Sequence, residues 1–489
     1  MPTLSFKRIT SAWIITILVL FVLAISFGIT MRFNQGRDID ISPVTFYSLM
    51  TVHGLTMIGI WAVAGMAAVN YLLARYVKVS TSLNVFAFVL TVVGVVILWV
   101  VGFIGKFHAG WTFLYPLPFR VAWEEWATLW FLIGLTVLGV GWLVWSVGMI
   151  MQILKKYTLG QSFAWQHFTK KHDVAVETPP FILITMVSII GILISLITAV
   201  ILLVLFYAEY FSNGTFTNDP LLMKNLTYFF GHTIANEALY LGLATLYELL
   251  PEVSGRPKFK TTWYVAVGWN CTMVFVLTAF FHHLYMDFVQ PYGFQLVGQF
   301  ASYFASIPSA AVTIVSVIVL IYGNKIKWSL TNILFFLGLV GWIIGGVGAL
   351  IDATISNNII LHNTLWVPAH FHTYNVMGNV LFSLAFFVWA ANQFAGTDSK
   401  NISKAQLFKL SILVIGGFGF VLMFYIAGAY SVPRRYALYP EEFTSAAILA
   451  SAGAWFALAY LIAILLLLGN IVSKCLKVFS SSQPSPLSH

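Results

Sequence analysis

The residues best suited to chemistry in this sequence are histidines set in apolar surroundings. The stretch Trp366-Val367-Pro368-Ala369-His370-Phe371-His372 lies inside a long apolar segment. A histidine in hydrocarbon is costly and marks a functional site by default. At about 100° per residue, two histidines separated by one residue stand about 200° apart on a helix. One metal ion could not easily take both, but two flat cofactors flanking the helix could.

Six of the eleven histidines lie well inside apolar runs: His53, His232, His282, His283, His370 and His372. They sit on four different runs, and at about 1.5 Å per residue all fall at comparable depth in the outer half of a bilayer. Neutral imidazole is a common ligand for iron and copper. A haem held by two histidines is a six-coordinate electron carrier, whereas one held by a single histidine keeps a face open for a gas. His370 and His372 can serve two rings on opposite sides of one helix. One ring then needs a second ligand, and His53 is available. His232 with the His282–His283 pair makes a three-nitrogen site for a second metal facing the open ring.

Membrane helices must position these side chains. The 489 residues are 60% hydrophobic and 8% charged, where soluble domains carry about 25% charge. Runs long enough to cross about 30 Å of hydrocarbon fall near 13–31, 46–73, 84–105, 125–152, 180–211, 223–250, 262–288, 296–322, 329–352, 359–394, 407–430 and 445–472. The expected fold is all-α and integral to the membrane. Its twelve transmembrane helices form one domain over 1–489 and bind two haems and a third metal in the outer half. No internal repeat is visible, and the longest polar connection runs from Lys155 to Glu177. With the N-terminus in the cytoplasm, only Arg32, Arg37, Lys106, Arg120, Lys224, Arg434 and Arg435 of the 25 Lys and Arg residues fall outside. That asymmetry obeys the positive-inside rule and puts both termini in the cytoplasm. The net charge of +9 therefore reflects membrane placement, and no nucleic-acid partner is expected. Cys271 and Cys475 are too far apart for a disulfide framework or a CxxC site. The first run is long enough to span and no A-x-A-like site follows it, so no cleaved signal peptide is expected.

The motifs are more specific together than singly. They comprise His53-Gly54, His232, His282-His283, the run His362-Asn363-Thr364-Leu365-Trp366-Val367-Pro368-Ala369-His370-Phe371-His372, and Val432-Pro433-Arg434-Arg435-Tyr436. Phe304 to Ser309 and, more weakly, Gly110-Trp111-Thr112 join them. On these residues the chain resembles subunit I of the haem–copper oxidase superfamily, which also contains bacterial nitric oxide reductases, over essentially all twelve spans. It looks closest to the B-type branch. The resemblance implies that His53 and His372 ligate a low-spin haem, that His370 ligates a high-spin haem, and that His232, His282 and His283 hold the second metal. Haem propionates are anionic, and the Arg434–Arg435 pair can bind carboxylates bidentately. His362 and Asp287 lie near the same surface, either in that network or as plain interfacial polar residues.

The sequence departs from the oxidases at one place. In most of them a tyrosine one turn after the span 6 histidine is bonded to a metal ligand, and in another branch it stands six residues before the histidine pair. Those positions here are Asn236 and Val276, and neither Tyr240 nor Tyr285 matches either spacing. Splitting O2 without releasing peroxide needs four electrons at once, and without the phenol the site is one short. Reducing 2 NO to N2O needs two. Nitric oxide reductases in the family also carry a carboxylate near the second metal, and Glu237 is the candidate. Asn236 lies about 40° around the helix from His232, but Glu237 lies about 140° away. Glu237 reaches the metal only if a π-bulge rewinds the helix; otherwise it acts behind the ligands or carries protons.

The expectation is therefore a nitric oxide reductase catalytic subunit, with Glu237 and Asn236 catalytic and Glu237 a metal ligand. It would hold two haems, b type favoured, and one non-haem metal, iron favoured over copper. Electrons would come from a partner subunit bearing a cupredoxin-type copper centre or a c-type haem, or from quinol, in a prokaryotic cytoplasmic membrane. The first alternative is a B-type terminal oxidase that reduces O2 to water with proton translocation. The second is a twelve-helix secondary transporter, which predicts inverted repeats and broken helices and leaves the histidine layer unexplained. Ser302, Ser306, Ser309, Thr313 and Ser316 form one helical stripe, which either orders a proton-carrying water file or packs helices. No acid lies deep in span 4, so no acid-gated channel is expected there.

Overall fold

The computed structural model describes residues 3–119, 122–169, 177–397 and 401–481. Arg120, Lys170, Lys171 and Lys400, which enter the charge asymmetry, lie outside the described residues. Twelve long helices follow in chain order: α1 (Leu4–Gln35), α2 (Pro43–Leu73), α3 (Thr81–Phe103), α4 (Ala127–Leu154), α5 (Pro180–Phe211), α6 (Pro220–Ser254), α7 (Trp263–Ala279), α8 (Gly293–Ile321), α9 (Leu330–Ala353), α10 (Trp366–Phe394), α11 (Lys404–Ala429) and α12 (Thr444–Ser480). Eleven of these segments, taking α7 on to Leu284, are long and apolar enough to cross a bilayer. The exception is α6, whose apolar character is diluted by His232, Asn236, Glu237, Glu248 and Glu252. Among the described residues strand pairing is limited to two isolated bridges, Ser329–Asn401 and Thr364–Pro433. Among the described residues the protein is all-helical, with twelve long helices built for a membrane.

Local chemistry sets the ends. Ser42, Ser80, Asp219, Ser329 and Ser403 each accept a backbone N–H of the first helical turn, satisfying a donor that has no partner inside the helix. Pro43, Pro180 and Pro220 occupy first turns, where the missing N–H costs nothing. Sequence neighbours pack in pairs, α1 on α2, α3 on α4, α5 on α6, α7 on α8 and α11 on α12, and α12 closes back onto α1. The outer helices expose apolar side chains, such as Val89, Val93 and Val96 of α3 and Ile197, Val200 and Val204 of α5. This leaves α2, α10 and the lower part of α6 buried in the interior, where a helix can carry polar side chains only against protein or a cavity.

Two helices leave α geometry beside the histidines. After Ala279 the chain tightens into a 3-10 turn, Phe280–Leu284, which carries His282 and His283. Within α10, the segment Thr373–Asn379 directly after His372 is π-helical. The widened turn rests on α9, where Cβ atoms at Gly341 and Gly345 would collide with the backbone of Met377 and Tyr374. Only glycine leaves room for that approach. The expected span over 359–394 is also broken at its outer end. A short helix, Ile355–Leu361, precedes α10, and His362 lies in the connection between them.

Candidate haem and metal site

The six deep histidines line one cavity of about 490 Å³. His53 comes from α2, and its Nδ1 lies 2.7 Å from the Ala24 carbonyl of α1. His372 comes from α10, with its Nδ1 2.7 Å from the Pro368 carbonyl one turn earlier. Each Nδ1 therefore donates to a backbone oxygen, which fixes the tautomer and leaves Nε2 as the metal-binding atom. Both rings line the same cavity. Gly28 backs His53 so tightly that a Cβ there would lie 2.7 Å from the ring Cε1. Phe424 stacks on His372 at 5.1 Å, and the Arg32 guanidinium lies 4.4 Å from the Phe424 ring centre.

His370 faces the other side of α10. It is buried and its Nδ1 has no partner. Opposite it, ligand nitrogens of His232, His282 and His283 all lie within 4.8 Å of one another. His282 is held by the Ser302 hydroxyl of α8, 3.0 Å from its Nδ1. The Tyr228 ring of α6 stacks on His283 at 4.9 Å and 18°. Asn236 donates to the His232 carbonyl at 2.8 Å, and its amide nitrogen lies 3.1 Å from His232 Nε2.

Arg434 and Arg435 close the outer wall. Their loop is tied to the start of α10 by Leu365 N–H to Val432 at 2.9 Å and by Arg434 N–H to Asn363 at 3.0 Å. From α1, Gln35 and Asn34 donate to the carbonyls of Tyr436 and Ala437. Arg434 is lowered to about 10, first by burial and then by neighbouring Arg435. His362 sits in the same group and is lowered to about 3 by burial and the Arg434 charge. Asp287 stands apart from the cavity and pairs with Lys224 at 2.6 Å. The buried guanidinium nitrogens Nε of Arg32 and Arg434 have no partner. Two oriented imidazoles, one unpaired imidazole and three converging imidazoles fit two haems and one further metal, and the orphaned guanidinium donors suit an anionic group beside them.

Glu237 needs correcting. α6 is α-helical without a π-bulge around this residue, so the i+5 position stays turned from His232. Its carboxyl lies against Gly191 of α5, outside the cavity wall. The residue beside the metal ligands is Asn236. The iron preference, which rested on that carboxylate, loses its support with it.

The α8 stripe is continuous in space. Ser302 meets His282, Ser306 lines the cavity, and Ser309, Thr313 and Ser316 follow below, buried. Tyr247 of α6 donates to Thr313 at 3.2 Å. Between α4 and α5 the cavity wall is mostly apolar, running past Leu135, Leu138 and Val140 of α4 and Leu196, Ala199 and Leu203 of α5, with Thr136 among them.

Sequence reasoning missed Arg32 and Tyr228. Arg32 ends the first span, where a cation reads as an interfacial anchor. Tyr228 precedes His232 by four residues, the same angular offset as Asn236 in the opposite direction.

A family model described as cytochrome c and quinol oxidase polypeptide I matches residues 8–462. Cytochrome c oxidase polypeptide 1 of Halobacterium salinarum is 26% identical over 433 residues, covering 85% of this chain and 69% of the relative. Cytochrome c oxidase subunit 1 of a Synechocystis strain is 24% identical over 469 residues, covering 92% and 80%. A solved heme-copper terminal oxidase dimer superposes with a TM-score of 0.76 at 20% identity, over 99% of this chain and 85% of that one. That last likeness speaks to fold.

Proposed function

Because the chain belongs to the family of cytochrome c and quinol oxidase polypeptide I, we propose that it is the catalytic subunit of a respiratory oxidase that reduces O2 to water in a membrane. The balance is O2 + 4 e⁻ + 4 H⁺ → 2 H2O. The bound haems and metal supply electron transfer and gas binding. His53 and His372 would hold one ring, each with its Nδ1 tied to a carbonyl so that Nε2 stays free. His370 would hold the second ring, and His232, His282 and His283, whose ligand nitrogens converge, would hold the metal. Three imidazoles without a carboxylate suit copper as well as iron. Arg434 and Arg435 receive propionates. Ser302, Ser306, Ser309, Thr313 and Ser316 pass protons toward Ser302, which touches His282.

One observation supports O2 over NO: the phenol absent from positions 236 and 276 has a counterpart in Tyr228, stacked on His283. Its hydroxyl can release a proton, and its ring an electron, beside the metal ligands. The relatives' names, cytochrome c oxidases, point the same way. Electrons come from a partner subunit carrying a cupredoxin-type copper centre or a c-type haem, or from quinol. A second reading, 2 NO + 2 e⁻ + 2 H⁺ → N2O + H2O, is favoured by Asn236 and Val276, which leave the usual phenol positions empty of tyrosine.

The test is turnover of O2 and of NO by the purified complex, with metal analysis, for the parent protein and Tyr228→Phe. The O2 reading expects fast O2 consumption that Tyr228→Phe slows on the order of a hundredfold while the haem spectra persist. Fast NO turnover with negligible O2 use would overturn it in favour of the second reading.

A further inference from the structure

His370 lacks the anchor that His53 and His372 have. Those two imidazoles each place Nδ1 against a backbone carbonyl, whereas Nδ1 of His370 is buried with no partner. The carbonyl one turn back, which serves His372, makes no such bond for His370. An imidazole that offers Nε2 to iron keeps its proton on Nδ1, and a ligating histidine almost always donates that proton to an acceptor.

A second unpaired group stands beside it. Tyr425 of α11 has a buried hydroxyl without a partner. A Cβ built on Gly348 of α9 would collide with that hydroxyl and lie 2.8 Å from His370 Cβ, so the two side chains meet over the same glycine. Trp366 closes the nook. Its ring meets Tyr425 edge to face at 4.9 Å, and its Nε1–H donates to the Gly348 carbonyl at 3.3 Å. His370 lines the haem cavity, but Gly348, Trp366 and Tyr425 do not. The hydroxyl therefore stands behind the imidazole, on the side away from the cavity. Buried polar groups are nearly always paired, and a phenylalanine would fill this place without burying a lone hydroxyl. The preceding residue, Phe424, stacks on His372 at 5.1 Å, so consecutive residues of α11 serve the two histidines of α10.

We propose that Tyr425 is the positioning residue of the high-spin haem: its phenolic oxygen accepts the Nδ1 proton of His370 and so sets the iron–histidine bond and the reduction potential of that ring. An acceptor on Nδ1 makes the imidazole a more basic ligand, which favours ferric over ferrous iron. The low-spin ring is tuned differently, through backbone carbonyls that no side-chain substitution removes. The role rests on the respiratory reading, which supplies the haem, and is the same for either gas.

The experiment compares the intact parent complex with Tyr425→Phe, by resonance Raman spectroscopy of the reduced high-spin haem and by redox titration of both haems. Loss of the acceptor should lower the iron–histidine stretching frequency. It should also shift the equilibrium of that haem toward the ferrous form about tenfold, an upward move of about 59 mV for one electron. The low-spin potential should stay in place, which general damage to the packing of α11 on α10 would not allow, because Phe424 touches His372. An unchanged frequency and potential in Tyr425→Phe would overturn the proposal, as would equal shifts in both haems. If Tyr425→Phe does not assemble, Gly348→Ala takes its place, since the added Cβ displaces the hydroxyl. Unchanged values there overturn the proposal equally. A parent protein without haem absorbance would sink the respiratory reading itself, a separate failure.

Discussion

Gly28→Ala gives the sharpest test of the low-spin haem assignment. A Cβ at this position would lie 2.7 Å from His53 Cε1, 3.2 Å from Nδ1 and 3.4 Å from Nε2. Ordinary carbon contacts begin at about 3.5 Å, so the ring must retreat by about 0.8 Å. It cannot do so and keep its Nδ1 2.7 Å from the Ala24 carbonyl, because the stretched contact leaves the hydrogen-bond range. Losing the bond costs about 0.5–1.5 kcal/mol. Losing the anchor of a ligand histidine typically lowers metal affinity by about 10–100-fold. The expected result is a fall in the low-spin component of the optical and paramagnetic resonance spectra, with the high-spin haem retained. Gly469→Ala on α12 is the control, since a Cβ there would meet nothing within 4 Å and lies away from the cavity. A Gly28→Ala protein with a full low-spin signal would refute the placement of His53 as an axial ligand.

Three further outcomes are expected. Ser302→Ala removes the 3.0 Å partner of His282 and should lower the ratio of non-haem metal to haem, measured by elemental analysis, by about 10–100-fold in affinity. Glu237→Gln should leave that ratio unchanged, because the carboxyl faces Gly191 instead of the three imidazoles; a lost metal would restore the ligand role. His362 concerns pH. Burial and Arg434 lower it from 6.5 to about 3, so the unfolded chain takes up a proton near 6.5 that the folded chain refuses until about 3. Stability should therefore fall as pH drops from 6.5 toward 3 and be indifferent to this group above 6.5. His362→Gln should flatten thermal midpoints across that window, and parallel curves for the two proteins would count against it.

The histidine layer and the helix count could be read from residues because both depend on coarse quantities, span length and depth. Six imidazoles on four runs stayed in register even where boundaries moved, as at α10, which starts at Trp366 instead of 359. What could not be read depends on local winding. A π-turn could have rotated Glu237 toward the metal, and α6 has none there, while α10 has one that its sequence does not announce. At the two spacings that the family uses, positions 236 and 276, no phenol stands. Tyr228 lies one turn to the other side of His232, and its contact with His283 depends on how α6 and α7 meet. Arg32 was visible as a cation at a span end, but only the fold turns it inward over Phe424.

The π-helical stretch Thr373–Asn379 divides α10 into two phases. A wide turn takes up roughly one residue more than a regular one, so the helix below is rotated by about 100° relative to uninterrupted winding. The upper half can then aim His370 and His372 into the cavity while the lower half independently chooses which side chains face its neighbours. Cofactor geometry and bundle geometry are thereby decoupled within a single rod. Relatives could drift in their lower packing without disturbing the axial ligands, provided that this turn and the glycine groove on α9 persist.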